Sequence, residues 1–599
     1  MLQAWEEWLE KNPRRAGAGL FLFSFVLYAG SLANGFVYDD EYQVLQNPFV
    51  LNPRLWTKIF TGSVWSFQGV AFPANYYRPL HIFSHWLVYR LAGPNPAAFH
   101  LFQVWVYAAT VWLAYRLARE LLRNEVAALA GALLWALHPL HVEAVAWIAS
   151  VPDTGYGFFY LLGLLAFLRA ERASKNPWLA HGLAALAFLP ALFYKEMALS
   201  FPLLLVAYWF FLSPAQDTAG WRSRALRLAP YVAAVALSIV IRFAALGYVT
   251  QSGGLWRITP RVAGAAVGLL GEHTRIFLRP THLNVFRTFE LGPSLRSPWP
   301  WVTLMALGAT LWLRKRAPLP AFLIAWWAIG LVPCLDIRQL SFPLVAERFA
   351  YVPSLALCLA MAWVVVVGLP RWLPGARPAR VALPALGLLM VFYAVQTVRA
   401  IPNWHDNQSL ADYSMRVSPQ AALLHVIQAL VLQYHHGDWD GAAREYQTAL
   451  RLNASSVKPL AKVTYDCYIG LGQIAHGRGQ TEEAREYFER AIRVSPNDSP
   501  AYDALGAIFF PHGDYARAAE YFAQAVKVNP QDVSARFYLG TCWMKLGRYR
   551  EAAEQFRAGR EIDPAFRQAY EAEARALEAA GDPAAAAQVR ALAAQAPVE

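Results

Sequence analysis

Charged residues are scarce in this 599-residue chain, at 16% where soluble domains carry about 25%. Hydrophobic residues reach 57%, and the mean hydropathy is +0.27. That balance excludes an ordinary soluble enzyme and an intrinsically disordered chain. Cysteine is scarcer still. The four residues Cys334, Cys358, Cys467 and Cys542 form no close pair and no C-x-x-C, which excludes a disulfide scaffold and gives no sign of a metal knuckle. Aromatics, in contrast, are abundant, with 23 Trp and 34 Phe, as where side chains gather at membrane interfaces.

The net charge of +12 is unevenly placed: the first 420 residues carry +15 and the remainder −3. A basic total raises nucleic acid as a partner. Here the basic residues cluster between apolar runs, so membrane topology accounts for them and no nucleic-acid partner is expected. The sequence predicts an all-α chain in two parts, a polytopic membrane domain over 1–402 and a charged, Ala-rich helical domain over 403–599.

Apolar runs long enough to span a bilayer fall near 17–36, 97–117, 125–142, 154–172, 178–194, 197–213, 227–247, 298–314, 318–335, 349–369 and 381–401. No small-residue cleavage site follows the first, so it reads as a retained span. Basic clusters at Lys11/Arg14/Arg15, Arg116/Arg119/Arg123, Arg169/Arg172/Lys175, Arg222/Arg224/Arg227, Arg314/Lys315/Arg316 and Arg371/Arg377/Arg380 all land on one side when eleven spans are counted. The N-terminus is then cytoplasmic and the C-terminal domain extracytoplasmic. Residues 78–92 would break that register. Arg78, His81, His85 and Tyr89 fall on one face and Leu80, Phe83, Leu87 and Leu91 on the other, so the segment reads as an amphipathic helix in the outer interface. Residues 263–297 also read as an outer-face segment.

The C-terminal domain is a repeat. Gly479, Gly513, Gly547 and Gly581 stand 34 residues apart, as do Pro496, Pro530 and Pro564, and Phe488, Phe522 and Phe556. This is the tetratricopeptide period. Units are expected near 465–498, 499–532 and 533–566, with a degenerate unit at 421–454, offset by an eight-residue insertion, and a polar cap at 567–596. Stacked helix pairs form a concave surface for an acceptor or partner.

Three groups of residues carry candidate chemistry. Asp39, Asp40 and Glu41 follow the first span at once, where clustered acids are costly without a partner. A catalytic carboxylate and a solvated loop start are both compatible with the spacing. His138, His141 and Glu143 surround Pro139 at the end of the third span. They offer donors for a divalent ion; alternatively the imidazoles bond the carbonyls that Pro139 frees. His81 and His85 also stand at ligand spacing. Lys195 interrupts an apolar stretch beside Glu196, Arg348 opens the tenth span beside Glu347, and Arg275 and Arg279 lie in the outer segment. A lipid phosphate is the ligand expected of such cations at this depth. All three groups map to the outer face.

In this order FVYDD (36–40), NPFV (47–50), YYRPL (76–80), HPLHVEAVAWI (138–148), YKE (194–196) and AERFAYVPS (346–354), with spans followed by repeats, resemble the transmembrane and tetratricopeptide-repeat O-mannosyltransferases and their bacterial relatives, which are C-type membrane glycosyltransferases. The resemblance implies a polyprenyl- or dolichyl-phosphate sugar donor, with mannose as the family sugar, and a protein or peptide acceptor. It implies a bacterial inner membrane, or endoplasmic reticulum in a eukaryote, with the repeats in periplasm or lumen. Asp39 matches the first acid of the family pair, which holds the catalytic base, and Asp40 the second. His141 and Glu143 occupy the place of a short acidic or metal-ligand motif, so a divalent metal (Mg or Mn) is the cofactor to test. The family often has a basic residue shortly before an Asp at the start of the fourth span; Ser150-Val151-Pro152-Asp153 has none.

The expected enzyme inverts the sugar, with Asp39 as base, Lys195 and Arg348 on the lipid phosphate, and Asp40 with Glu143 or His141 orienting acceptor or metal. The alternative is a non-catalytic membrane-anchored repeat scaffold, which needs neither acids beside the first span nor so many anchors. A lipid-linked sugar translocase would require charge on both halves of the bilayer.

Overall fold

The computed structural model describes residues 2–68, 76–173, 175–213, 220–248, 259–338, 343–372 and 376–594. Among these residues the regular elements are helices and there is no strand. The chain divides into two compact units, one from Met1–Val64 and Ala74–Pro419, the other from Trp65–Pro73 and Gln420–Glu599.

Among the described residues of the first unit, seven helices are long and apolar enough to cross a membrane: Pro13–Ala33, Pro96–Leu122, Ile148–Ala170, Pro177–Tyr194, Trp221–Leu246, Pro353–Trp372 and Val381–Trp404. The pair Glu125–Leu137 and Pro139–Ala146 is bent by 51° and makes an eighth if read as one span. The bend follows from Pro139, which disfavours helical backbone at His138; His138 is extended, at φ −66° and ψ 122°. The other three expected spans are the shorter apolar helices Glu196–Leu212, Trp299–Leu313 and Pro318–Cys334. Length and composition thus identify seven or eight spans, whereas the count of eleven rests on hydropathy and the charge register.

Two of these helices set the position of the site. Val151–Ala170 carries Asp153 in its first turn and packs along Pro177–Tyr194, which Lys195 follows directly. Gly163 permits the approach, because a Cβ there would lie 2.7 Å from the Phe188 Cβ and 3.1 Å from its Cα. Small residues at such crossings are what let helices pack closely in lipid.

The helix Pro79–Ala92 does not show the expected amphipathic division: His81, Ser84 and His85 are buried together with Ile82 and Val88, while Leu87 and Leu91 are exposed. The expected outer segment contains the helix Pro260–Leu278, broken after Leu278. The hydropathy change near 402 does not end the first unit. Tyr38 donates its N–H to Asn407 Oδ1 at 2.7 Å, and Asn407 Nδ2 donates to Glu41 at 2.7 Å. Trp404 stacks on Trp147 at 5.5 Å. These contacts hold the segment to the acid loop, and the unit runs to Pro419.

The second unit is a series of helix pairs: Ala422–Val431 with Trp439–Ser455, Ala461–Gly477 with Thr481–Val494, Ser499–Phe509 with Tyr515–Val528, Val533–Lys545 with Tyr549–Ile562, and Arg567–Ala579 with Pro583–Ala593. Gly437, Gly479, Gly513, Gly547 and Gly581 all have φ between +64° and +85° at the turn within each pair, a conformation that favours glycine. Phe488, Phe522 and Phe556 fill the space left by Gly472, Gly506 and Gly540, where a Cβ would meet the ring at 2.5–2.7 Å. The expected polar cap is a full helix pair whose Tyr570, Ala574, Leu577 and Val589 share an apolar cluster with Ala552, Ala553 and Phe556 of the preceding pair. Its buried Glu573 is held by Arg557 at 3.0 Å and Arg560 at 2.5 Å; the last two residues of that unit, 595–596, lie outside the described residues.

Residues 421–594 should therefore form a soluble helical domain when expressed alone. Phe522→Ala should destabilise it by about 3–5 kcal/mol, the usual cost of emptying a phenyl site. Circular dichroism with urea melts reads both. An unfolded fragment, or a Phe522→Ala midpoint equal to the parent's, would contradict the stacked-repeat packing.

Candidate active site

The acid loop is built by an abrupt end to the first span. Pro13–Tyr28 continues as a 3-10 turn to Ala33, and Gly35 donates its N–H to the His405 carbonyl at 2.8 Å. Tyr38 then adopts φ +55°, a sparsely populated conformation for a bulky residue. It is held there by Asn407, with its ring 5.9 Å from Trp147 and 5.4 Å from Phe286.

The two aspartates that follow have different environments. Asp40 is fully buried, and both carboxylate oxygens are taken by backbone N–H groups, Oδ1 from Ala149 at 2.6 Å and Oδ2 from Val37 at 3.0 Å. It clamps the acid loop to the turn Ile148–Ser150. Asp39 is partly buried and makes no hydrogen bond among the described residues. Burial pushes its carboxyl up to about 7, opposed by the positive charge of Arg348. A carboxylate poised near neutrality is suited to accept a proton.

Arg348 is positioned by Glu143. Its backbone N–H donates to Glu143 Oε2 at 3.0 Å, and its Nη1 donates to Oε1. The guanidinium lies 5.3 Å from the centroid of Trp147. Lys195 is buried and donates to Asp153 Oδ1, whose other oxygen accepts from Ser150 at 3.1 Å. Burial pulls Lys195 down to about 8; Asp153 opposes this, while Arg348 and Arg78 reinforce it. Asp153 therefore has a basic partner after all, supplied by Lys195 across the helix pair and not by the preceding sequence.

Arg78 is the third cation of the group. Its Nε and Nη2 donate to Glu196 Oε2 at 3.0 and 2.7 Å, and it sits 4.3 Å from the Tyr76 centroid. Arg78, Lys195 and Arg348 come from three separate sequence motifs, and Arg78 and Arg348 both act electrostatically on Lys195. Asp39 joins the group through Arg348.

The remaining expected residues fall elsewhere. Arg275 pairs with Glu272 on its own helix at 2.8 Å, and Arg279 is exposed at that helix's end. Neither contacts the cation group among the described residues. The cation that does face a buried acid from this segment is Arg287, whose Nη2 lies 2.8 Å from Glu347 Oε1. Glu347 is buried to 1% exposure. Burial, with Arg287 opposing and Glu143 adding repulsion, pushes it up to about 8.

His138, His141 and Glu143 do not fit a divalent ion as they stand. His138 Nε2 faces the Phe277 carbonyl at 3.1 Å and its Nδ1 accepts from Leu140 N at 3.3 Å. His141 Nε2 meets Ser354 Oγ at 3.1 Å and its Nδ1 meets the Tyr107 hydroxyl at 3.4 Å. Glu143 serves Arg348. The imidazoles thus satisfy polar groups around the Pro139 bend. His81 and His85 lie edge to face, 4.8 Å apart. Among the described residues no group of three or more His, Cys, Asp or Glu is arranged to hold a metal.

Arg78, Glu143, Asp153, Lys195 and Glu196 lie within a stretch that a known family covers, whereas Asp39, Asp40 and Arg348 lie outside it. A family model described as dolichyl-phosphate-mannose-protein mannosyltransferase matches residues 77–244, and a tetratricopeptide-repeat model matches 429–499 and 504–565. Protein O-mannosyl-transferase Tmtc1 of Drosophila melanogaster is 34% identical over 198 residues, 33% of this chain and 23% of its own length. Protein O-mannosyl-transferase TMTC1 of Homo sapiens is 26% identical over 514 residues, 76% of this chain and 57% of its own. The chain is similar to the TMTC O-mannosyltransferases. Its matches span less than two thirds of the length of those relatives. Its apolar helices make it an integral membrane protein, and the repeat-model match shows that it carries tetratricopeptide repeats. Among solved structures, the crystal structure of MamA protein is similar to 29% of the chain, at 22% identity and a TM-score of 0.25, with 90% of that structure covered.

Proposed function

We propose that this protein is a membrane glycosyltransferase that moves a sugar, mannose by analogy with its relatives, from a polyprenyl-phosphate donor to a hydroxyl of a protein at the extracytoplasmic face. The observation that carries the reading is Asp39: a partly buried carboxylate that makes no hydrogen bond among the described residues and lies within electrostatic reach of Arg348, which also acts on Lys195. The acceptor O–H gives its proton to Asp39 as its oxygen attacks the anomeric carbon from the face opposite the phosphate. The carbon–oxygen bond to phosphate breaks, and the sugar is inverted. Charge grows on the departing polyprenyl phosphate, where Arg348, Lys195 and Arg78 stabilise it. Each of these cations has one acid partner, and guanidinium and ammonium groups retain further N–H donors for phosphate. Asp40 holds the base in place through Val37 and Ala149. The repeats bind the protein acceptor. No step is assigned to a metal.

The test is transfer from radiolabelled polyprenyl-phosphate sugars to protein in membranes holding the full chain. Incorporation into acid-stable protein glycan is expected with one donor, and the absence of incorporation with every donor would overturn the reading. Orientation is tested separately. A reporter inserted after Pro419 should be active only on the extracytoplasmic side; activity confined to the cytosol would separate the repeats from the proposed site.

A further inference from the structure

Three helices of the membrane unit gather unbalanced cations at the ends remote from the acid loop. Arg14 lies in the first turn of Pro13–Tyr28, Arg116 near the end of Pro96–Leu122 and Arg169 in the last turn of Val151–Ala170. The opposite ends of these helices serve the candidate active site. Pro13–Tyr28 leads on to Asp39, and His100, near the start of Pro96–Leu122, has its Nε2 3.4 Å from the Gly35 carbonyl oxygen. Val151–Ala170 carries Asp153 in its first turn. Arg169 is about 24 Å further along that helix, at 1.5 Å per residue.

Arg169, Arg119 and Arg14 all act on Arg116 as like charges, with Glu120 opposing them. The acids at this end are engaged elsewhere. Glu120 accepts from Arg172, Glu125 pairs with Arg119 at 2.7 Å, Glu171 pairs with Arg227 at 3.3 Å, and Glu6 accepts from Asn124 at 2.6 Å. Glu7 and Glu10 are exposed on Leu2–Lys11 and form no ion pair among the described residues. The side chains of Arg14, Arg116 and Arg169 make no ion pair or hydrogen bond among the described residues. Like charges held together at a membrane boundary without a counter-ion are costly, so the group calls for an anion from outside the chain.

The seam between the first two of these helices selects the kind of anion. Arg14, Gly17 and Phe21 share one face of their helix, and Trp105, Trp112 and Arg116 one face of theirs. A Cβ on Gly17 would lie 2.9 Å from Trp112 Cδ1, and the Phe21 and Trp105 rings meet edge to face at 6.4 Å. The Arg116 guanidinium lies 5.4 Å from the Trp112 centroid, and both tryptophans are exposed. An aromatic strip open to lipid thus ends in a group of guanidinium ions. The planar fork of arginine suits phosphate oxygens, and an acyl chain suits the strip. A zwitterionic headgroup brings its own cation, whereas three unbalanced arginines favour a net negative one. We infer that Arg14, Arg116 and Arg169 hold the phosphate of an anionic phospholipid whose acyl chain lies along Trp112 and Trp105, at the membrane face opposite the candidate active site. This lipid is distinct from the polyprenyl-phosphate donor, which is assigned to the other ends of the helices.

The experiment titrates phosphatidylglycerol, phosphatidylcholine and inorganic phosphate into the delipidated full chain in detergent, at fixed salt, with bound lipid counted by native mass spectrometry. The parent should bind phosphatidylglycerol more tightly than phosphatidylcholine, and millimolar inorganic phosphate should not displace it. Arg116→Gln should weaken phosphatidylglycerol about 10–100-fold, as for a lost hydrogen bond between charged groups. Lys315→Gln, in another basic cluster, should weaken it about fivefold or less, the general attraction of one surface cation. In nanodiscs of phosphatidylcholine alone Arg116→Gln should melt no lower than the parent, because it relieves repulsion and loses no partner. Equal losses in the two variants would reduce the site to a generic basic face and overturn it. Phosphatidylcholine bound as tightly as phosphatidylglycerol, displacement by inorganic phosphate, or a lower melting temperature of Arg116→Gln in neutral lipid would overturn it as well.

Discussion

Asp39→Asn is expected to lower turnover by about 10²–10⁴-fold, the usual contribution of a positioned general base, while the affinity for polyprenyl phosphate changes little. The amide keeps the size of the carboxyl but cannot take the acceptor proton. Asp39 makes no hydrogen bond among the described residues, so no fold contact is lost. Phosphate binding is assigned instead to Arg348, Lys195 and Arg78. The pH dependence gives a second readout. Burial raises Asp39 to about 7 against the opposing charge of Arg348, and only the ionised form accepts a proton. The parent's kcat/KM should therefore climb as pH rises through about 7 and then level, and the residual activity of Asp39→Asn should lack that limb. Sugar transfer in membranes across pH 5–9, with donor affinity measured separately, checks both expectations. Near-parental turnover with correct insertion would remove Asp39 from the mechanism. It would leave Asp40, whose two oxygens are both occupied by backbone N–H groups, as the remaining acid of the loop to examine.

The helical architecture was legible because it is written in periods. A 34-residue step in Gly and Phe is visible without coordinates, and the ring-on-glycine packing at Gly506 and Phe522 follows from it. Apolar runs mark the long helices in the same way. Ion-pair partners carry no such local mark. Lys195 and Asp153 are 42 residues apart, Arg348 and Glu143 are 205 apart, and Arg78 and Glu196 are 118 apart. Sequence reasoning identified several of these charges as costly in an apolar setting but had no means of matching them. That is why Asp153 read as lacking a base.

The same limit governed the cations of the outer segment. Arg275 and Arg279 stood out by their setting, and Arg287, a few residues on, passes the same criterion; only the tertiary fold distinguishes the one that meets Glu347. The histidines around Pro139 illustrate a different ambiguity. Imidazole nitrogens serve as metal ligands or hydrogen-bond partners with equal ease. The choice was set by the Phe277 carbonyl and the Ser354 hydroxyl, which arrive from distant helices.

The Lys195–Asp153 pair gives the second large effect. Lys195→Met removes the cation from a buried pair whose side chains are 2% and 3% exposed. Asp153 keeps Ser150 as a partner but loses its compensating charge. Breaking one side of a buried pair typically costs about 3–5 kcal/mol, whereas replacing both sides by apolar groups is often close to neutral. Lys195→Met should therefore lower the melting temperature strongly, and Lys195→Met with Asp153→Leu should recover most of the loss. Donor binding should behave differently. If Lys195 also meets the lipid phosphate, both variants should bind polyprenyl phosphate about 10–100-fold more weakly, as expected for a lost hydrogen bond between charged groups. Thermal melts and lipid binding on the same preparations separate the two roles. Recovery of both stability and phosphate affinity in the double variant would make Lys195 a structural partner of Asp153 alone. Recovery of stability without affinity would place its ammonium on the donor.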